Sequence, residues 1–390
     1  MHPRPIPALL AGATALAFTL SPLAVGAASA EPGEHHQNQR QHAEHAVFVQ
    51  TNGLTGNTVI AYHRSDSGAL TLSGTYPTGG KGGLETSAPV DALASQGSLT
   101  YDVGSGLLFA VNAGSDTLSV FGVSGDRLHL RQVVPTRGSF PVSVAVHGEH
   151  VVVLNAGGGG SVVGFRLHDR RLSPVAGAVA SLGLANATTP LFITAPGQVD
   201  FAPDGRHVVV TTKKNGTLVV FRVRHDGRLS ARTTTASVGA VPFSFVADRF
   251  GHIVVSEAGP AAATTYDVHA DGSLTPITAS VASGGKALCW LAAVGRFVYA
   301  SNTGSSTLSA YATDAQGHLT LVQPVAASTD AAPIDQDATA DGRFLYVQDA
   351  GAGEVQGFRV EKDGTLTLVA TATGLPAFDG STGMEGIVAV

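Results

Sequence analysis

Seven times along this chain, a run of β-branched and small residues with strand-type alternation ends in an aromatic side chain, breaks at a polar turn and resumes at a leucine. The leucines are Leu70, Leu128, Leu172, Leu229, Leu274, Leu319 and Leu366, spaced 58, 44, 57, 45, 45 and 47 residues apart. The turns before them include His-Asp-Gly-Arg (225–228), Ala-Asp-Gly-Ser (270–273) and Lys-Asp-Gly-Thr (362–365). A period of about 40–50 residues with β patterning inside each unit predicts a β-propeller in which each unit is one four-stranded blade. The fold class is therefore all-β, a seven-bladed β-propeller over residues 46–390.

One repeat parses the rest. In the sixth, 287–293 reads as the innermost strand A, 297–302 as B, 307–312 as C, and D begins at Leu319, with glycine-containing hairpins between them. The first repeat starts directly at strand B, Ala-Val-Phe-Val-Gln-Thr (46–51). Its strand A is predicted to be Glu-Gly-Ile-Val-Ala-Val (385–390), so the two ends of the domain complete one blade and close the ring. One aromatic per repeat near the end of C (Tyr62, Phe121, Phe165, Phe221, Tyr266, Tyr311, Phe358) reads as core between blades.

The segment before the repeats has a different character. Residues 6–20 are apolar behind Arg4, and Ala-Ser-Ala (28–30) has the small-x-small form of a cleavage site, so residues 1–30 read as a secretory signal peptide. Residues 31–45 are polar, His-rich and without period, and read as a disordered linker. The spacing of His35, His36, His42 and His45 matches no structural metal site. The expected product is secreted, extracellular, monomeric and without a membrane span. Cys289 is the single cysteine, so no internal disulfide can form. The net charge of −6 and the absence of a basic run argue against nucleic acid as a partner.

Antiparallel order puts the starts of A and the ends of B on one face, with the A–B and C–D turns on the other. The B ends are Asn52, Asn112, Asn155, Thr212, Glu257, Asn302 and Asp349. The A starts are Gln96, Ser143, Gln198, Ser244, Trp290, Gln336 and Glu385. Two long connections, 79–97 and 181–198, add length to this same face, where binding residues are expected. Carboxylates converging on a funnel perturb one another, which makes Glu257, Asp335 and Glu385 the candidate catalytic groups. Gln96, Asn112, Gln198, Lys213, Trp290, Asn302 and Asp349 are the candidate substrate contacts. The asparagines also suit a purely structural role in the turns. No metal and no cofactor are expected.

The unit Val-Asp-Phe-Ala-Pro-Asp-Gly-Arg-His-Val-Val-Val-Thr-Thr (199–212) resembles the strand A–B unit of the seven-bladed lactonase family, which includes 6-phosphogluconolactonases and carboxymuconate cyclases. Phe-Val-Tyr-Ala-Ser-Asn-Thr-Gly (297–304) and Phe-Leu-Tyr-Val-Gln-Asp-Ala-Gly (344–351) are similar to it too. In the enzymes, a Pro-Arg-His stands before such a unit and an Asn-Glu follows strand B. Here Pro196 matches, but Gly197 and Gln198 occupy the Arg-His positions, and Thr212 and Lys213 the Asn-Glu positions. The resemblance implies a secreted, divergent member rather than an orthodox 6-phosphogluconolactonase. Two functions stay open: hydrolysis or isomerisation of a lactone or cyclic ester at the funnel mouth, and non-catalytic binding of a small molecule, glycan or protein.

Overall fold

The structure is a computed structural model that describes residues 45–390; the segment read as signal peptide and all but the last residue of the linker lie outside the described residues. Seven four-stranded antiparallel sheets form the ring. Their innermost strands are Glu385–Ala389 (blade 1), Leu99–Asp102 (blade 2), Pro141–His147 (blade 3), Pro196–Phe201 (blade 4), Pro242–Ala247 (blade 5), Leu288–Val294 (blade 6) and Pro333–Ala338 (blade 7). The sixth repeat follows its expected parse closely, with B at Phe297–Asn302, C at Thr307–Thr313 and D at Leu319–Ser328.

The closure is as the sequence predicts. Ala46–Gln50 pairs with Thr58–Arg64 on one side and with Glu385–Ala389 on the other, in the register Val47↔Ala389, Phe48↔Val388 and Val49↔Ile387. Gly386 makes the junction with blade 2 close. Its φ is 60°, and a Cβ there would sit 2.5 Å from Ser98 Oγ and 2.6 Å from Leu99 Cβ.

The Asp-Gly hairpins explain the repeat. Gly227, Gly272 and Gly364 hold φ of 81°, 82° and 88°, a region that glycine enters without steric cost. The preceding Asp226, Asp271 and Asp363 each accept a backbone N–H two residues on, at 2.9–3.0 Å. Leu274 and Leu366, which follow, start strand D and are buried, whereas Leu229 is half-buried and bridges Val223 just before strand D of its blade. The seven aromatics at the end of C are all buried. Phe121, for example, joins Ala46, Phe48 and Val388 of blade 1 to Leu99 and Leu108 of blade 2. Burying each such ring removes apolar area worth about 1.5–3 kcal/mol from water.

Candidate functional site

The two long connections meet over the mouth of the central channel. Thr86 bridges to Leu191 in parallel, with Thr86 N–H donating to Pro190 O at 2.9 Å and Phe192 N–H donating to Thr86 O at 3.1 Å. The first connection then dives inward, and Glu85, Asp91, Leu93, Ala94 and Ser95 are all buried. Beside it lies a cavity of about 400 Å³ on the face of the B ends. Its walls are mostly apolar, with Phe192, Ile193, Phe243 and Trp290 the largest groups and Asp91 the one acidic side chain. Trp290 meets Phe243 edge-on at 4.7 Å between ring centres and donates its indole N–H to Ser95 O at 2.8 Å.

The Asp91 carboxylate lines the cavity and is held by its own loop, accepting from Leu93 N–H at 3.0 Å and Ser95 N–H at 3.2 Å. Leu93 N–H also donates to Glu385 Oε1 at 2.6 Å. The Asp91 and Glu385 carboxyls adjoin, and they divide the charge between them. Burial raises both, but Asp91 is drawn back down by a hydrogen bond from Glu385 and by its backbone donors. Glu385 is raised well above the ordinary range by burial and by the Asp91 charge. The pair therefore favours an ionised Asp91 and a protonated Glu385. Asp335 stands behind them, raised well above the ordinary range by burial and by the charges of Asp91 and Asp337.

Lys213 supplies the countercharge from inside. Its Nζ donates to Ala94 O at 2.7 Å, lies 3.8 Å from Glu85 Oε2, and sits over the rings of Phe192 and Phe243 at 5.3 and 5.4 Å. It is 1% exposed. Burial lowers its pKa, with Glu85 and Asp91 working in the opposite sense. Cys289 also lines the cavity, but burial pushes its thiol up to about 12, which leaves it un-ionised and a poor nucleophile.

Of the residues singled out from the sequence, Asp335, Glu385, Lys213 and Trp290 converge here. The others do not. Glu257 lies in blade 5, fully buried, where Oε1 accepts from Gly239 N–H and Thr264 Oγ1, both at 2.7 Å, and Oε2 from Ser280 Oγ at 2.8 Å. Three donors hold it as a latch on the incoming D–A turn. Asn112 and Asn302 do the same job: each accepts from the hydroxyl before that turn (Thr78 at 2.7 Å, Ser283 at 2.8 Å) and donates into its own strand C. Asp349 is buried in blade 7 near Asp330 and Glu354, raised to about 7 chiefly by burial.

The glutamines join blades rather than lining a site. Gln198 Oε1 accepts from Phe245 N–H at 2.7 Å, and Gln96 exchanges two 3.0 Å hydrogen bonds with the Leu291 backbone across the channel. The Gly197 position explains itself sterically, because any Cβ there would collide with the Phe243 carbonyl oxygen. Sequence reasoning missed Asp91, Glu85, Phe192 and Phe243. The first three sit in connections without period; Phe243 is one residue before Ser244, the strand start in blade 5 that the repeat pattern marks. Among the described residues, no group of three or more His, Cys, Asp and Glu side chains is placed to hold a metal ion, and no helix is long and apolar enough to cross a membrane.

The profile of the family described as "Lactonase, 7-bladed beta-propeller" matches residues 161–291 and 285–378, more than half of the chain. The chain belongs to this lactonase family. Among solved structures, the lactonase-family chain is similar to a putative 6-phosphogluconolactonase from Bacteroides fragilis, at 20% identity and TM-score 0.64 over 86% of this chain and 96% of that one. A Lactobacillus plantarum protein gives 19% identity and TM-score 0.66 over 88% and 99%. A periplasmic gluconolactonase from Pseudomonas aeruginosa gives 19% and 0.62 over 88% and 99%. At these identities the likeness concerns the fold. No curated protein matches.

Proposed function

We propose that this lactonase-family protein is an exported hydrolase that opens a neutral lactone or related cyclic ester in the cavity at the funnel mouth. The observation that carries the reading is Asp91: the one acidic side chain lining an apolar cavity, beside the Glu385 carboxyl whose pKa burial and the Asp91 charge raise. Asp91 is the general base in this scheme. It takes a proton from water as the water oxygen adds to the lactone carbonyl, and the ring C–O bond then breaks with a proton returned to the leaving oxygen. Glu385 and Asp335 touch no substrate and position Asp91 and tune its basicity. A carboxylate whose basicity is raised by burial suits that task.

The substrate class follows from the walls. Phe192, Phe243 and Trp290 offer ring faces and edges to an apolar ring or acyl chain, while the nearby ammonium of Lys213 is sealed against Ala94 O and Glu85. A phosphate dianion would meet Asp91 with no free cation beside it, which disfavours 6-phosphogluconolactone. An exported setting agrees with the leader pattern of residues 1–30.

The test is a panel of alkyl γ- and δ-lactones, glucono-δ-lactone and 6-phosphogluconolactone, assayed with the wild-type chain and Asp91→Asn. Turnover of neutral lactones that falls about 100-fold or more in Asp91→Asn supports the scheme. Ligand-dependent melting shifts without any turnover would replace hydrolysis with small-molecule binding in the same cavity.

A further inference from the structure

The opposite face, where the A–B and C–D turns lie, has a cavity of its own. A groove of about 510 Å³ between blades 3 and 4 is lined by Arg206 from one turn of blade 4, Arg222, Arg224 and His225 from the other, and His150 from blade 3. All three guanidinium groups are on exposed residues, and among the described residues none has a carboxylate within 4.0 Å. Other arginines do find partners, as Arg166 does with Glu149 at 2.7 Å and Arg359 with Glu361 at 2.8 Å. His150 Nδ1 is buried and has no hydrogen-bond partner. Burial first, and then the Arg166 charge, lower the His150 pKa, which favours the neutral imidazole.

Side chain–backbone hydrogen bonds fix the turns that line the groove. Arg166 Nη2 donates to His225 O at 2.6 Å, Asp204 Oδ1 accepts from the Arg206 and His207 N–H groups at 2.9 and 3.0 Å, and Ser230 Oγ accepts from Arg222 N–H at 2.9 Å. The surrounding arc has the matching charge. Residues 127–232 carry 13 Lys and Arg against 5 Asp and Glu, a net of +8, whereas residues 233–390 carry 6 against 15, a net of −9. In a chain that is acidic as a whole, the cations are gathered on one side of the ring. Such a field draws an anion to that side.

We propose that this groove binds an acidic oligosaccharide, with the three arginines engaging its sulfate or carboxylate groups. Guanidinium forks match planar and tetrahedral oxyanions, and three of them around one groove suit a ligand that bears several such groups at intervals. The volume is that of a few sugar units, within the range of ordinary ligand cavities. A nucleic acid fits less well. No Phe, Tyr or Trp lines the groove to stack a base, and the acidic arc repels a long polyanion.

The experiment titrates the full chain with a sulfated tetrasaccharide, a tetragalacturonate and a single-stranded oligonucleotide, by calorimetry at low and raised salt. One oligosaccharide is expected to bind at one site per chain, and which one binds tells sulfate from carboxylate recognition. The Arg206→Ala, Arg222→Ala and Arg224→Ala variants should each weaken binding about tenfold. Arg343→Ala with Arg359→Ala, on the acidic arc, should leave it within twofold, and so should Asp91→Asn in the other cavity. The proposal fails if neither oligosaccharide binds, if the groove variants bind as wild type does, if the Arg343/Arg359 control loses as much, or if the oligonucleotide binds as tightly. The groove residues are exposed, so these variants should fold, and matched melting temperatures confirm it.

Discussion

The backbone N–H of Leu93 donates to the carboxyl of Glu385 at 2.6 Å, across 292 positions of sequence. The strand that closes the ring thus also anchors the loop that covers its channel. Replacing Glu385 by Ala removes the shorter of the two acceptors for Leu93 N–H, leaving Asp91 Oδ1 at 3.0 Å, and takes away the partner of Asp91. A lower melting temperature and faster proteolysis within residues 85–98 are expected, whereas Glu385→Gln, which keeps the acceptor oxygen, should restore most of the protection. Limited proteolysis followed by mass spectrometry distinguishes the two.

Stability should fall as pH rises from mildly acidic to neutral. Asp200 and Asp337 are raised to about 6 by burial, and Asp349 to about 7 by burial and the charges of Glu354 and Asp330. An acid raised in the folded state binds its proton more tightly there than in the unfolded chain. Its contribution is complete below the ordinary pKa near 4 and is lost as pH climbs through the folded value. Between pH 4 and about 6–7, each such group costs at most about 1.4 kcal/mol per pH unit. Denaturant melts at pH 5 and pH 7.5 should show the drop, and Asp337→Asn should flatten it. Equal stability at the two pH values would contradict the assignment.

Stopping the chain after Gly383 removes Met384, Ile387 and Val388 from the core and leaves Ala46–Gln50 with an open edge. Those three side chains alone account for about 5 kcal/mol or more of burial, a large part of the usual stability of a domain. Loss of cooperative unfolding is expected, read by calorimetry.

Gly386 and Gly295 form a natural comparison. Their φ values are 60° and 58°, but a Cβ at Gly386 meets Ser98 and Leu99, whereas one at Gly295 meets nothing within 4 Å. Gly295→Ala should cost about 1–2 kcal/mol for the left-handed backbone. Gly386→Ala adds overpacking and should cost about 2–5 kcal/mol in all.

Trp290 separates wall from anchor. Trp290→Phe keeps a ring against Phe243 and loses the hydrogen bond to Ser95 O, for about 1 kcal/mol. Trp290→Ala should cost about 3–5 kcal/mol and also raise KM for apolar lactones. Urea titration gives the first two numbers and the lactone assay the third.

The ring was readable in the sequence because the same local chemistry recurs. A polar turn followed by leucine marks each strand D, with Asp-Gly in three of the seven, and the aromatic before it marks each blade junction. The site was readable only where it borrows those recurring positions. Glu385 and Trp290 begin inner strands and Lys213 follows strand B, so each was in view. Asp91 and Glu85 sit in a connection with no repeat to align them, and only the folded loop brings them to Lys213 and Glu385. Glu257 and Asn112 show the converse. Their positions were legible, but their roles are set by turn hydroxyls and N–H groups of the preceding blade, such as Thr78 and Gly239, which no local pattern reveals.

Ring closure also imposes a timetable. Ala46–Gln50 needs Glu385–Ala389 as its inner neighbour, and the two are separated by 335 positions. At ~5–20 residues per second, synthesis reaches the second on the order of tens of seconds after the first. For that interval the first blade has an unpaired edge, and the loop over the channel lacks its Glu385 anchor. Neither the ring nor the cavity is complete until that strand arrives, so a partly made chain has an open blade edge and an unanchored loop.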